Sequence, residues 1–175
     1  HQLDLGTRGF SFRQDARLDM RMDANLSVTA ADLVNGLTKV ELMELFTKLG
    51  EEPFAKKIAQ NIIDNRQEKS IETTEGLAKI IERSYPKGYK KIHPATKVFQ
   101  ALRIAVNDEL NSLREALPKA TNLLESGGKL VIISFHSLED RIVKEYCKTA
   151  QEEHIGKILT EKPINPTEEE IEINK

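Results

Sequence analysis

The stretch Lys129-Leu130-Val131-Ile132-Ile133-Ser134-Phe135 limits the possible folds more than any other part of this chain. It is a continuous apolar, β-branched run, entered through Gly127-Gly128 and left through His136-Ser137. A run of that kind reads as a strand buried on both faces, the habit of parallel sheets. Helical periodicity stands on either side of it, so helix, strand and helix alternate as in an α/β sheet. The run is far shorter than the roughly 18 apolar residues that span a bilayer, and no secretory leader pattern is expected at the start. Cys147 is the single cysteine, which excludes an internal disulfide and disfavours a structural zinc cluster. A soluble, cytoplasmic protein is the expectation. Because residue 1 is His rather than Met, the start reads as a cut, a processed end or an incomplete gene.

The remainder is mostly helical in pattern. Residues 1–25 are polar, dense in Asp and Arg, with Phe10 and Phe12 two apart, and predict an ordered loop. From Thr29 the pattern turns helical. Thr38 with Glu41 forms a capping box for a helix stopped by Gly50. Phe54, Ile58 and Ile62 define a second amphipathic helix, and Thr73 or Thr74 starts a third carrying Leu77, Ile80 and Ile81. Pro86 and Gly88 end that helix before a basic connector, Lys87 to His93. Pro94 opens the longest expected helix, which runs from Val98 past Leu110 to Leu117 and breaks at Pro118. Ser137 with Asp140 is a further capping box, and the tail from Gln151 reads as loop, weak strand or fraying end.

With 26 basic against 28 acidic residues, bulk charge does not advertise nucleic-acid binding, so any polyanion site must be local. The helical middle does hold an excess of Lys and Arg, Lys56, Lys57, Lys90, Lys91 and Arg103 among them. A solvated face explains most such charges; an RNA-contact surface explains some. Phe10 and Phe12, flanked by Arg8 and Arg13, suit stacking on an unpaired base and equally suit core plugs pinning the loop. Ser134, His136 and Ser137 sit where open α/β sheets bind ligands, although helix capping by Ser137 and turn orientation by His136 is the stronger reading. No nucleophile elbow, paired metal-spaced His or glycine-rich phosphate loop occurs, and no metal is expected.

Three blocks carry a family resemblance. They are Arg8-Gly9-Phe10-Ser11-Phe12 on to Leu18-Asp19-Met20-Arg21-Met22-Asp23; His93-Pro94-Ala95-Thr96 with Phe99 to Ile104 and Asn107-Asp108-Glu109-Leu110; and Gly127-Gly128 through Ser134-Phe135-His136-Ser137-Leu138-Glu139-Asp140-Arg141. In order and spacing the chain resembles the ribosomal-RNA small-subunit methyltransferase H family over nearly its whole length. The resemblance implies an α/β protein: a partial class I, Rossmann-like methyltransferase sheet with an inserted all-helical domain. Residues 1–27 would be a loop of the methyltransferase domain, 28–105 the helical insert that presents RNA, and 106–175 the return to the sheet. It further implies S-adenosylmethionine as cofactor and the N4 amine of a cytidine in small-subunit ribosomal RNA as substrate.

Of the family's cofactor-binding segments only Gln2-Leu3-Asp4 is matched, which makes Gln2 the one cofactor contact carried over; the glycine-rich cofactor loop has no counterpart, so the chain reads as incomplete at both ends. Arg8, Phe10, Phe12, Arg21, Lys56, Lys57, Lys90, Lys91 and Arg103 are the candidate RNA contacts. The catalytic residue stays open: Asp4, Asp15 and Asp19 suit an acceptor for the amine by type, and each suits equally a turn cap or a partner for Arg8 or Arg21. Where the family pattern has Gly and Pro, this chain has Ala16 and Arg17, which predicts a reshaped loop. Two further readings stand beside the enzyme: a catalytically silent RNA- or ribosome-binding module, and a plain helical interaction protein.

Overall fold

A computed structural model describes residues 8–86, 88–89, 92–160 and 162–173. The chain forms two compact units, His1–Ser112 and Leu113–Lys175.

Among its described residues the first unit holds five helices: α1 (Ala30–Gly36), α2 (Lys39–Gly50), α3 (Ala55–Glu68), α4 (Thr74–Glu82) and α5 (Ala95–Asn107). Helices this short begin only if their first backbone N–H groups find acceptors. Thr29 with Asp32 and Thr38 with Glu41 form reciprocal capping boxes for α1 and α2, and the Thr73 hydroxyl accepts from Gly76 N ahead of α4. Helix α2 lies mainly against α5 and α3. Leu42 and Phe46 of α2, Ile58 and Ile62 of α3, Leu77 and Ile81 of α4, and Val98 and Leu102 of α5 are fully buried in one core. The last turn of α2 passes so close to α5 that a Cβ on Gly50 would stand 2.7 Å from the Lys97 carbonyl oxygen, a contact only glycine avoids.

One ionisable pair is buried in this core. The Tyr85 hydroxyl donates to Glu52 Oε2 at 2.5 Å, while Phe54 N donates to Oε1 at 2.8 Å. Burial, and then the hydrogen bond to Glu52, push the Tyr85 hydroxyl well above the usual phenol range, so it stays a donor at any ordinary pH. Removing that donor by Tyr85→Phe leaves a buried carboxylate oxygen short of a partner and is expected to cost about 1–3 kcal/mol, read as a lower urea midpoint with unchanged far-UV circular dichroism.

The second unit holds most of α6 (Glu109–Asn122), together with α7 (Ser137–Glu152) and α8 (Glu168–Ile173). Leu117, Leu138 and Ile142 are buried, and the Tyr146 hydroxyl donates to Thr121 Oγ1 at 2.7 Å.

Four local expectations are corrected. The run 130–135 is extended coil: Val131, Ile133 and Phe135, which share one side of it, are 85%, 78% and 88% exposed. Among the described residues the chain's only bridge of β type joins Arg17 to Thr73, so this run has no neighbouring strand, and a strand without one has nowhere to place its backbone hydrogen bonds. The long helix breaks at Asp108 (φ 48°, ψ 41°) rather than at Pro118, which lies inside α6. The cap of α7 is His136, whose Nδ1 accepts from Glu139 N, rather than Ser137. The acidic tail forms α8, started by Thr167, whose N–H and hydroxyl donate to the Glu170 carboxylate and whose hydroxyl accepts from Glu170 N.

Candidate functional site

Segment 8–26 has no α-helix and no strand beyond the single bridge at Arg17, yet it is fixed at two places by long-range hydrogen bonds. At the start of α4, Thr74 Oγ1 accepts from Ala16 N at 3.0 Å and donates to the Gln14 carbonyl at 2.9 Å. Thr74 N donates to the Ala16 carbonyl, Leu18 N donates to the Glu72 carbonyl, and Asp15 Oδ1 accepts from Glu75 N. Neither Ala16 nor Arg17 has a positive φ, so the backbone here tolerates both residues, and the expected reshaping is not required by strain. Leu18 and Met20 then drive their side chains fully into the helical core.

Further along, the loop is held by Asn107, the last residue of α5. Its Oδ1 accepts from Met22 N at 2.7 Å, while its Nδ2 donates to the carbonyls of Met20 at 2.8 Å and Arg103 at 2.9 Å. Immediately beyond, Asp108 turns into the left-handed region, and Arg103 spans the corner with a two-pronged bond to Glu109 at 2.8 and 3.0 Å. The helix therefore ends where its terminal amide is committed to the loop.

The sequence-derived candidates fall into three groups. Arg21 binds both Asp19 oxygens, at 2.7 and 2.8 Å, and donates to the carbonyls of Ala24 and Leu26. Arg8 donates to the Met22 carbonyl. Together with Arg103 these side chains hold the loop and its corner. Phe10 and Phe12 are half-buried and pack against the core. Phe12 lies flat on His93, ring centroids 4.2 Å apart, and meets Phe99 edge-on at 5.3 Å, so one of its faces is already stacked. His93 is oriented from both sides, its Nδ1 accepting from Ala95 N and its Nε2 lying 3.2 Å from Glu82. Lys56 and Lys57 are exposed on α3. Gln2, Asp4, Lys90 and Lys91 lie outside the described residues.

The Asp19–Arg21 pair has a pH signature. The hydrogen bond from Arg21 holds the Asp19 carboxyl below its ordinary range. A folded-state pKa depressed in this way stabilises the fold above the unfolded value, roughly pH 4, and that contribution is lost as pH falls through the folded value. Urea midpoints taken from pH 7 down to pH 3 are therefore expected to fall for the parent chain and to flatten in Asp19→Asn, which starts about 1–2 kcal/mol lower at pH 7.

Sequence reasoning gave no role to Asn107 and saw Thr74 only as an alternative helix start, yet these two residues fix the loop. The one available signal was polar chemistry at helix ends: an Asn closing an apolar helix, and a second Thr beside the Thr73 cap. As for a nucleotide-type cofactor, the described residues do not build a pocket at the carboxyl end of 130–135, where Ser134, Phe135 and Ser137 are exposed and no second strand flanks them.

The family model described as the MraW methylase family matches residues 1–175. A protein named ribosomal RNA small subunit methyltransferase H from Sulfurihydrogenibium sp. (strain YO3AOP1) is 51% identical over 169 residues, covering 95% of this chain and 58% of the relative. The protein of the same name from Nostoc punctiforme is 51% identical over 176 residues, covering 99% of this chain and 57% of the relative. That from Coprothermobacter proteolyticus is 47% identical over 175 residues, with 99% and 58% covered. The chain thus spans a little over half the length of these relatives. With the family model running from the first residue to the last and about half of all aligned positions identical, the chain belongs to the MraW methylase family.

Proposed function

We propose that this chain contributes the RNA-facing helical part and an adjoining sheet segment of an enzyme that methylates the N4 amine of a cytidine in small-subunit ribosomal RNA, with S-adenosylmethionine as donor. The observation that carries this reading is sequence identity near one half along 95–99% of the chain to proteins named for that RNA. In this reading residues 28–105 form the helical insert, and the run 130–135 pairs within a class I sheet.

Methylation of an exocyclic amine asks little of acids and bases and much of positioning, because the nitrogen must approach in line and its lone pair is delocalised into the ring. The chain's part is to hold RNA so that one base leaves the stack. A loop fixed at two places by Thr74 and Asn107 suits that task, since it can exclude water and present Phe10 and Arg8 without the entropy cost of ordering on contact. Arg21 and Asp19 act in this account as positioning residues for the loop.

The test is nucleoside mass spectrometry of small-subunit ribosomal RNA from cells in which the coding sequence is deleted. Loss of N4-methylated cytidine, restored by the intact gene, is the expected result. An unchanged N4-methylcytidine content in the deletion strain would refute the reading, and RNA binding by the purified chain would then identify the silent binding module instead.

A further inference from the structure

The described lysines of the first unit differ in their partners. Lys48 bonds Glu44, Lys79 bonds Glu75, and Lys97 donates to the Glu51 carbonyl. Lys39, at the start of α2, and Lys56 and Lys57, in the first turn of α3, like Lys69 just after α3, have no acidic partner among the described residues, and Lys39, Lys56 and Lys57 line one open groove of about 390 Å³. Pro53 and Phe54 supply its apolar lining and Gln60 an amide. Exposed lysines in helices are commonly paired with an acid three or four residues away. Here three lysines line one groove without one.

We propose that this groove is a subsite for single-stranded RNA, with an unpaired base laid on Pro53 and Phe54 and the flanking phosphates held by Lys39, Lys56 and Lys57. The occupant follows from two complementarities. Three uncompensated positive charges call for a polyanion, and an apolar, ring-bearing surface between them calls for one that carries flat faces between its charges. A duplex buries its bases and offers none, whereas a single strand offers both. An acidic protein segment would meet the charge and leave the ring surface unused. The groove lies on α2 and α3, separate from the loop fixed by Thr74 and Asn107, so it would hold RNA flanking the target rather than the target itself. This proposal rests on the reading of the chain as an RNA-modifying protein and adds a site to it.

The experiment is fluorescence anisotropy with the chain and a labelled single-stranded RNA of mixed sequence, across a salt series. The triple variant Lys39→Gln, Lys56→Gln, Lys57→Gln is expected to bind about tenfold or more weaker and to show a salt slope shallower by about 2, the value for three lost single-strand phosphate contacts. A control triple, Lys48→Gln, Lys79→Gln, Lys119→Gln, removes the same charge from ion-paired positions and is expected to keep parental affinity. An abasic strand of equal length is expected to bind roughly tenfold weaker to the parent. Thermal melts of both variants should match the parent, since none of the substituted residues is buried. Equal binding by the groove variant and the parent, equal losses in both triples, or polyglutamate competing as well as RNA would overturn the groove while leaving the RNA reading standing. A parent chain that binds no RNA at all would end both.

Discussion

Replacing Gly9 by valine is expected to lower the stability of the first unit by about 3 kcal/mol and to release the loop that follows it. Gly9 has φ 73°, and a Cβ there would lie 2.3 Å from the Arg17 carbonyl oxygen and 3.2 Å from Asp19 N. Both obstacles are backbone, so no side chain can swing aside. The left-handed conformation alone costs a β-branched residue roughly 1–2 kcal/mol, and the overlap adds a comparable sum. The same stretch of chain supplies the carbonyl of Arg8 that accepts from Met20 N, so displacement at Gly9 removes that bond too. Urea unfolding followed by far-UV circular dichroism measures the loss, and limited proteolysis within 8–26 measures the release. A variant as stable and as resistant as the parent would show that the loop does not depend on this close approach.

Asn107→Leu is the second large effect. The substitution keeps the branching at Cγ and removes both polar ends of the amide, orphaning Met22 N and the Met20 carbonyl together. Each orphaned backbone group costs about 1–3 kcal/mol, so a total near 3 kcal/mol is expected. Asn107→Asp separates the two halves of the bond set: the carboxylate still accepts from Met22 N but cannot donate to Met20, and an intermediate loss follows. If Asn107→Leu melts with the parent, the loop is held by Leu18 and Met20 alone.

What the sequence disclosed and what it hid follow from the range of the interactions involved. Thr38 and Glu41, or Thr73 ahead of Gly76, act within four residues, and a reading by spacing finds them. The break at Asp108 could not be found that way. Apolar periodicity continues from Val98 through Leu110, and the left-handed residue is imposed by an amide whose partners lie 85 and 87 residues away. Phe12 was open between base platform and core plug because His93 and Phe99 are distant in sequence; their rings occupy one face and one edge of it. The run 130–135 carries the side-chain signature of a buried strand, and its composition says nothing about which neighbours must be present for it to become one. Arg21 and Asp19, two residues apart, were a legible pair; that Arg21 also closes on Ala24 and Leu26 was not.

The way segment 8–26 is tied has a kinetic corollary. Its bonds to Thr74 and Asn107 join positions 58 to 87 residues apart, and neither partner is in place until α4 and α5 have formed and docked. Closing so wide a span before the helices exist is entropically unrewarded, so the segment is the last part of its unit to settle and the first to let go. Its amides, Met22 and Leu18 foremost, should exchange with deuterated solvent through a shared opening that leaves the amides of α2 and α5 untouched.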